Sequence, residues 1–331
     1  MRRKLRSPLP QRHGLDPVRL RTPAQSPDGP RWATMRDHLV ERLPRVDPAR
    51  IDAMLVERCI VDRNGPIAPD APFVPEEFLW FHRDLPVEAP VPFEIGVVHR
   101  DEHLVIVDKP HFLATIPRGS HILETALVRL RHDLDLPELS PAHRLDRPTA
   151  GLLMFVVHRE RRGAYQTLFR DRRVRKTYEA VARHDPALAL PRTVESRIVK
   201  DRGVIRAYEE PGPVNAVTHV ELLAHRDHGA GGALARYRLT PETGRTHQLR
   251  VHMNGLGVPL LGDDFFPELT EKPLDDFSRP LQLLASGLEF RDPFSGTLRR
   301  FTTRLDLQAW TSYSAWAADT WVRQQDRKVE R

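Results

Sequence analysis

The chain of 331 residues has one cysteine, Cys59, and it lacks any apolar run of the roughly 18 residues that a membrane-spanning helix needs. A single cysteine excludes an internal disulfide and a cysteine-based zinc cluster. No glycine-rich phosphate loop is present, and the 16 histidines are scattered. The basic N-terminal residues lack the apolar segment of a secretory signal. The sequence therefore predicts a cytoplasmic protein with no membrane association, no metal site and no cofactor.

Positive charge is concentrated at the N-terminus. Residues 1–31 contain seven arginines, one lysine and two aspartates, a formal charge of +6 that equals the net charge of the whole chain. Six prolines and few apolar residues predict that this segment is a disordered basic arm. Such an arm can contact phosphates without sequence preference, although it can equally be a terminus without a function.

The most informative motif is the segment His143–Gly151, which leads into the apolar residues 152–157. Asp146 lies between Arg144 and Arg147 in a loop that contains proline and glycine. Neighbouring cations favour the charged form of a carboxylate. A charged carboxylate on a loop is suited to covalent or acid–base chemistry on an anionic substrate. The alternative interpretation is a surface ion pair on a turn.

A second motif follows about a hundred residues later, at Thr243–His252. Its apolar residues have helical spacing and form one face, namely Leu249, Met253 and Leu256. Thr246 is the predicted N-cap. His247 and Gln248 would then lie in the first turn, near free amides that can hold a phosphate. Taken alone, this segment could also be an ordinary solvated helix.

Together the two motifs resemble those of RluA-type pseudouridine synthases, written HRLDRxTSGLLLF and TGRTHQIRVH. Between them, Arg175–Ala180 resembles the K-x-Y-x-A strand of that family. The motifs occur in the family's order, and the similarity covers roughly residues 95 to 304. Ala150 stands where the family usually has serine, and Leu284 stands where it often has histidine.

The resemblance implies an α+β protein with the pseudouridine synthase fold, a mixed and largely antiparallel sheet with a central catalytic cleft. It also implies an isomerase that breaks the N1–C1′ bond of uridine, rotates the uracil and rejoins it through C5. The product is an isomer of the substrate, so no cofactor is expected.

The resemblance further implies three catalytic residues. Asp146 would be the nucleophile or charge stabiliser, and it could add to C1′, attack C6 or promote elimination. Arg250 would be its buried ion-pair partner. Tyr178 would stack on the uracil and could relay the C5 proton.

RNA contacts are expected from cationic and polar residues around the same cleft. Arg144 would fill the space that a flipped uridine leaves, because its guanidinium is planar and weakly hydrated. The basic run 170–176 could contact phosphates, although such runs are often only solvated faces. The predicted RNA-binding residues are Arg144, Arg147, Lys176, Arg245, His247, Gln248 and Leu249.

The remaining organisation is predicted from composition and periodicity. Residues 32–86 form a small α/β unit that is similar to a degenerate αL RNA-binding motif, or else serves only as a scaffold. Residues 87–94 are a predicted linker, and residues 95–331 form the catalytic domain.

The expected partner is RNA, with large-subunit ribosomal RNA favoured over transfer RNA, and the protein is expected to be a monomer. Two rival functions are a non-catalytic RNA-binding protein and an N-glycosidase. The presence of Asp146 and Arg250 argues against the first, and retention of the base in the product would argue against the second.

Overall fold

A computed structural model describes residues 7–24, 31–229 and 232–319. The chain divides into two compact units, residues 1–87 and 88–331. None of the helices in the described ranges is both long enough and apolar enough to cross a membrane.

The first unit contains two helices and a two-stranded antiparallel sheet. Its elements are β1 (Val18–Arg21), α1 (Met35–Arg42), α2 (Pro48–Val56) and β2 (Phe78–Phe81). A capping box starts α1, because the Thr34 hydroxyl accepts from the Asp37 amide and the Asp37 carboxylate accepts from the Thr34 amide. Apolar residues of all four elements form one core, including Leu20, Leu39, Leu55 and Leu79.

The prediction that residues 1–31 are a disordered arm is wrong for the described segment around β1. Residues 18–21 pair with β2, Leu20 is buried in the core, and the Thr22 hydroxyl donates to the carbonyl of Val74. The physical reason is the alternation of apolar Val18 and Leu20 with arginines, which suits a half-buried strand. Residues 1–6 and 25–30 of the predicted arm lie outside the described residues.

Several arginines of the first unit are paired with carboxylates. The pairs are Arg21–Glu76, Arg36–Asp52, Arg50–Asp84 and Arg63–Glu77. Such pairing reduces the positive charge that these side chains present to a polyanion. RNA binding by this unit therefore stays a prediction.

The second unit contains strands and helices in its described residues. The strands are β3 (Gly96–Arg100), β4 (Leu104–Lys109), β5 (Ser140–Pro141), β6 (Ala150–Val156), β7 (Val174–Arg183), β8 (Arg192–Ser196), β9 (Ile198–Val199), β10 (Tyr208–Glu209), β11 (Ala216–Asp227), β12 (Ala233–Pro241), β13 (Leu283–Arg291) and β14 (Leu298–Thr302). The helices are α3 (Ala126–Asp133), α4 (Arg162–Arg170), α5 (Gln248–Gly255), α6 (Gln308–Thr311) and α7 (Tyr313–Ala318).

A mixed sheet forms the body of this unit, with the strand order β3-β4-β6-β13-β7-β12-β11-β8, and β9 and β10 pair separately. Only the β6–β13 pairing within this sheet is parallel. The predicted α+β class with a mixed, largely antiparallel sheet is confirmed.

Residues 88–94 of the predicted linker have no helix or strand and are anchored to the second unit. The Glu88 carboxylate accepts hydrogen bonds from the amides of Ile122, Leu123 and Glu124, just before α3. Val91 is buried in the core of the second unit. A carboxylate that satisfies three free amides ties this segment to the catalytic unit, which its alanine and proline content did not indicate.

Gly151 permits the parallel contact between β6 and β13 at the centre of the sheet. Its φ is +106°, and a Cβ built on it would lie 2.3 Å from the carbonyl oxygen of Ala285 on β13. Only glycine fits a position that combines this φ with so close a backbone. The loop that carries Asp146 leads into β6 here, so this contact also fixes where that loop ends.

We predict that Gly151→Ala destabilises the protein by at least about 2–3 kcal/mol, through left-handed strain and backbone overlap. The matched control is Gly163→Ala in α4, where a new Cβ meets nothing within 4 Å. That change should stabilise by about 0.5–1 kcal/mol, because alanine is the better helix former. Urea denaturation of both variants checks the prediction, and equal effects would contradict it.

Candidate active site

The loop that carries Asp146 is held in place by side chains at the end of β4 and in the segment after it. Lys109 donates to the carbonyl of Arg147 at 3.3 Å, and His111 donates through Nδ1 to the carbonyl of Pro148 at 2.7 Å. Thr115 donates to the carbonyl of Leu145 at 2.8 Å and accepts from its amide at 3.1 Å. These bonds fix backbone atoms on both sides of Asp146, so they set the position of its side chain.

Lys109 is fully buried beneath this loop. Its ammonium group also donates to the carbonyls of Pro110 and Leu113, at 3.0 and 2.8 Å. Burial lowers the pKa of Lys109 to about 7, with the Asp146 charge opposing this effect and that of Arg147 adding to it. The lysine thus combines backbone positioning with a partial positive charge near Asp146.

Asp146 is half-buried and faces a cavity of about 1080 Å³. Within the described ranges, its carboxylate has no hydrogen bond or ion pair with another group. Lys109, His247 and Arg250 interact with its charge through space. The carboxylate is therefore held in a cationic environment and remains available to a substrate.

The predicted Asp146–Arg250 ion pair is wrong in its partner. The buried guanidinium of Arg250 forms two hydrogen bonds with Asp263, at 2.5 and 2.8 Å, and one with Asp264 at 2.8 Å. It also lies 4.5 Å from the ring centre of Phe265. Asp263 competes successfully because the turn after α5 presents both of its oxygens to the planar guanidinium, a bidentate geometry.

Arg250 nevertheless acts on Asp146 through its charge. Burial disfavours the guanidinium cation, but the hydrogen bonds and charge of Asp263, together with the charges of Asp146 and Asp264, raise the pKa of Arg250. The arginine is a fixed cation behind the site, not a direct partner of the carboxylate.

Tyr178 lies on β7 at the centre of the sheet, opposite Leu239 on β12 and Ala285 on β13. Burial, and then the charge of Asp146, raise the pKa of its phenol. The phenol is therefore protonated at neutral pH, and its side chain lines the same cavity as Asp146.

The second motif begins α5 one residue later than its sequence predicts. The predicted N-cap Thr246 is wrong, since His247 occupies the cap position with a left-handed φ of +56°. Its Nδ1 accepts from the amide of Ala207 at 3.2 Å, and burial lowers its pKa. This turn brings His247 towards the cavity that Asp146 faces.

Gln248 is buried and engaged inside the protein. Its side-chain oxygen accepts from the Thr243 hydroxyl and the Arg245 amide, and its nitrogen donates to the Val217 carbonyl and the Thr218 hydroxyl. This geometry supports a positioning role and does not favour the RNA contact predicted for Gln248.

The other predicted RNA-binding residues line the cavity, at different degrees of exposure. Arg144 and Arg245 are exposed, whereas Leu249 is buried. Lys176 donates to the Thr243 carbonyl at 2.8 Å, and burial followed by the charge of Arg172 lowers its pKa to about 8.

Arg147 is only partly satisfied. Its Nη2 donates to the Leu274 carbonyl at 2.8 Å, and its buried Nε has no hydrogen-bond partner among the described residues. Burial lowers the pKa of Arg147. Arg147 lines the cavity, and a guanidinium at this position is suited to an anionic ligand such as a phosphate.

Sequence reasoning missed the roles of Lys109, His111, Thr115 and Asp263. Residue type alone carries no signal of which backbone carbonyl Lys109 contacts or which arginine Asp263 binds. His143, the first residue of the motif, also has a structural place. Its Nε2 accepts from the Met154 amide at 3.1 Å, and its ring stacks on Phe169.

Comparisons with known proteins show which family has this fold and these motifs. A family model described as RNA pseudouridylate synthase matches residues 103–255. The dual-specificity RNA pseudouridine synthase RluA of Pasteurella multocida (strain Pm70) is 31% identical over 237 residues, which cover 67% of this chain and 92% of that protein. The protein of the same name from Haemophilus influenzae is 31% identical over 226 residues, covering 64% and 94%.

Among solved structures, the human RNA pseudouridylate synthase domain containing 1 protein matches with a TM-score of 0.55 and 24% identity. The match covers 74% of this chain and 96% of that one, and it supports the fold. The chain belongs to the RluA-type RNA pseudouridine synthases, a family of isomerases.

We predict that Asp263→Ala destabilises the protein by about 3 kcal/mol or more, because it leaves a buried guanidinium with only one carboxylate partner. The control is Glu289→Gln, which breaks an exposed pair with Arg300 and should cost less than about 1 kcal/mol. Urea denaturation measures both, and equal losses would show that the Arg250–Asp263 pair contributes no more than a surface pair.

A second prediction concerns pH. Burial lowers the pKa of His111 to about 4 and that of His143 to about 3. Both rings are neutral in the folded protein but gain a proton on unfolding below their ordinary pKa of about 6.5. The free energy of unfolding should therefore fall as pH drops from about 6.5 towards 4, by up to about 1.4 kcal/mol per pH unit for each histidine.

The variant His143→Gln tests this assignment, because it keeps a hydrogen-bond acceptor but does not titrate. Denaturation at a series of pH values should give a shallower slope for the variant than for the wild type. An unchanged slope would show that His143 does not contribute to the acid sensitivity.

Proposed function

We propose that this enzyme isomerises specific uridines in structured RNA, with Asp146 as the catalytic carboxylate. The observation that carries the proposal is a carboxylate that has no direct partner among the described residues, is fixed through its backbone, and lies near Arg250 and Lys109 at the wall of a large cavity. A nucleophile or charge stabiliser needs this combination of fixed position and free oxygen atoms.

In the proposed reaction the N1–C1′ bond breaks, the uracil rotates, and a C5–C1′ bond forms. The C5 proton is then lost and N1 gains a proton. Asp146 acts on the flipped uridine, and Tyr178 stacks on the uracil. Because its phenol is protonated, Tyr178 relays the C5 proton only by giving up its own proton as it accepts that one, with N1 of the uracil as the final acceptor. Arg250 and Lys109 interact with the charge of Asp146 through space.

The uridine must leave its stack to reach Asp146, which costs a few kcal/mol. We assign the vacated space to Arg144, which is exposed at the cavity. Phosphates would be held by Arg147, Arg245 and Lys176, with the exposed Arg170 and Arg172 beside them.

We propose large-subunit ribosomal RNA as the first substrate to test and transfer RNA as the second, in the cytoplasm. The similarity to synthases named as having dual specificity supports testing both.

We predict that Asp146→Asn lowers turnover by roughly 10³-fold or more, as expected for a residue that takes part in the chemistry. RNA affinity should stay within about threefold, because the change removes no phosphate contact. The assay is tritium release from RNA that contains 5-tritiated uridine, with RNA binding measured in parallel.

Wild-type release with the isomerised base retained in the RNA supports the synthase, whereas free uracil would identify an N-glycosidase. Joint loss of binding and activity in Asp146→Asn would show that the residue is structural.

A further inference from the structure

A hairpin loop at the cleft ends in two exposed aliphatic side chains. Residues 200–207 connect β9 with β10, and Val204 and Ile205 are 41% and 58% exposed. Both line the cavity that contains Asp146. Two neighbouring exposed aliphatic residues at a cavity form a small apolar patch, and apolar patches rimmed by polar residues can mark an interaction site.

The tip is held by contacts within the loop. Lys200 donates to the carbonyls of Asp201 and Val204, and the Tyr208 hydroxyl donates to the Asp201 carboxylate at 2.5 Å. Gly203 has a φ of +88°, which makes the turn. The lysine ammonium is thus turned into the loop, while the two aliphatic side chains are presented outwards.

The base of the loop is joined to the catalytic motif. Ala207 is fully buried, and its amide donates to His247 at the start of α5. Arg206 donates to the Phe265 carbonyl at 3.0 Å, beside the Arg250–Asp263 cluster. The C-terminal side of the loop is therefore anchored to residues that line, or lie beside, the cavity that Asp146 faces.

The chemistry of the tip differs from that of the remaining cleft. The neighbouring wall presents cations such as Arg144, Arg172 and Arg245, which suit phosphates. Aliphatic side chains cannot bind a phosphate, but they can pack against the apolar face of a base, and apolar wedges act in this way in other nucleic-acid complexes. Such a face is exposed when the base is unstacked, which is easiest for an unpaired nucleotide in a loop or bulge.

We propose that Val204 and Ile205 form a base-contact site for an unpaired nucleotide next to the target uridine. The enzyme thereby selects uridines whose neighbour can leave its stack, in loops or bulges. This inference rests on the proposed function, since it names the class of RNA that the same cleft accepts.

The test compares the double variant Val204→Ser/Ile205→Ser with the wild type on an RNA that releases tritium with the wild type. Affinity for this RNA should fall about 10-fold, as expected when two aliphatic side chains lose their apolar contact. The slope of log Kd against log salt should stay unchanged, because no phosphate contact is lost.

Two controls separate this effect from others. Leu222→Ser/Leu223→Ser changes two consecutive, similarly exposed leucines on β11 that do not line the cavity. This double change should leave RNA affinity unchanged. Arg172→Ala removes a cleft cation and should reduce the salt slope by about 1.

Wild-type affinity in Val204→Ser/Ile205→Ser would overturn the inference, as would a reduced salt slope in that variant. A protein that binds at the tip instead of RNA would give the first of these results. Failure of the proposed function looks different, because the wild type itself would then release no tritium from any RNA.

Discussion

The site depends on one constraint, the attachment of the Asp146 loop to the end of β4 and the segment after it. Lys109, His111 and Thr115 bind backbone atoms of Leu145, Arg147 and Pro148. None of these bonds involves the carboxylate itself. The protein therefore fixes the position of Asp146 through the chain and leaves its oxygen atoms free for a substrate.

The charged groups near Asp146 are likewise held in place without bonds to its carboxylate. Arg250 is bound to Asp263 and Asp264, so its cation is fixed without a hydrogen bond to Asp146. A direct ion pair would occupy the carboxylate oxygens that the chemistry requires. The charges of Arg250 and Asp146 still interact through the weakly screened interior. Asp263 is thus as much a part of the site as Arg250.

Much of the fold and the site could be predicted from the sequence, because the two motifs are long and their spacing is typical of one family. The mixed sheet and the gathering of Asp146, Tyr178 and Arg250 around one cleft follow from that resemblance. The pairing of Arg250 with Asp263 could not be predicted, since it depends on how the chain turns between the end of α5 and Asp263. The strand at Val18–Arg21 was not predicted, because the proline-rich composition of residues 1–31 indicated disorder. The alternation of apolar residues with arginines spans only four positions there.

Hydrogen bonds from side chains to the backbone were the least predictable feature. Thr115 lies 30 residues before Leu145, and nothing in either residue type indicates that they meet. Likewise, His247 has a left-handed backbone at the start of α5, and its ring accepts a hydrogen bond from Ala207 in the β9–β10 hairpin. The residue types near the start of α5 do not indicate this distant contact.

The most direct test of the account is the turnover number of Thr115→Val beside Thr115→Ser. Valine keeps the volume but removes both bonds to Leu145, whereas serine keeps the hydroxyl. We predict that kcat falls by about 10- to 100-fold in the valine variant, because small displacements of a catalytic group have effects of this size. RNA affinity should be unchanged, and serine should restore most of the rate. Wild-type kcat in Thr115→Val would contradict the claim that the backbone attachment positions Asp146.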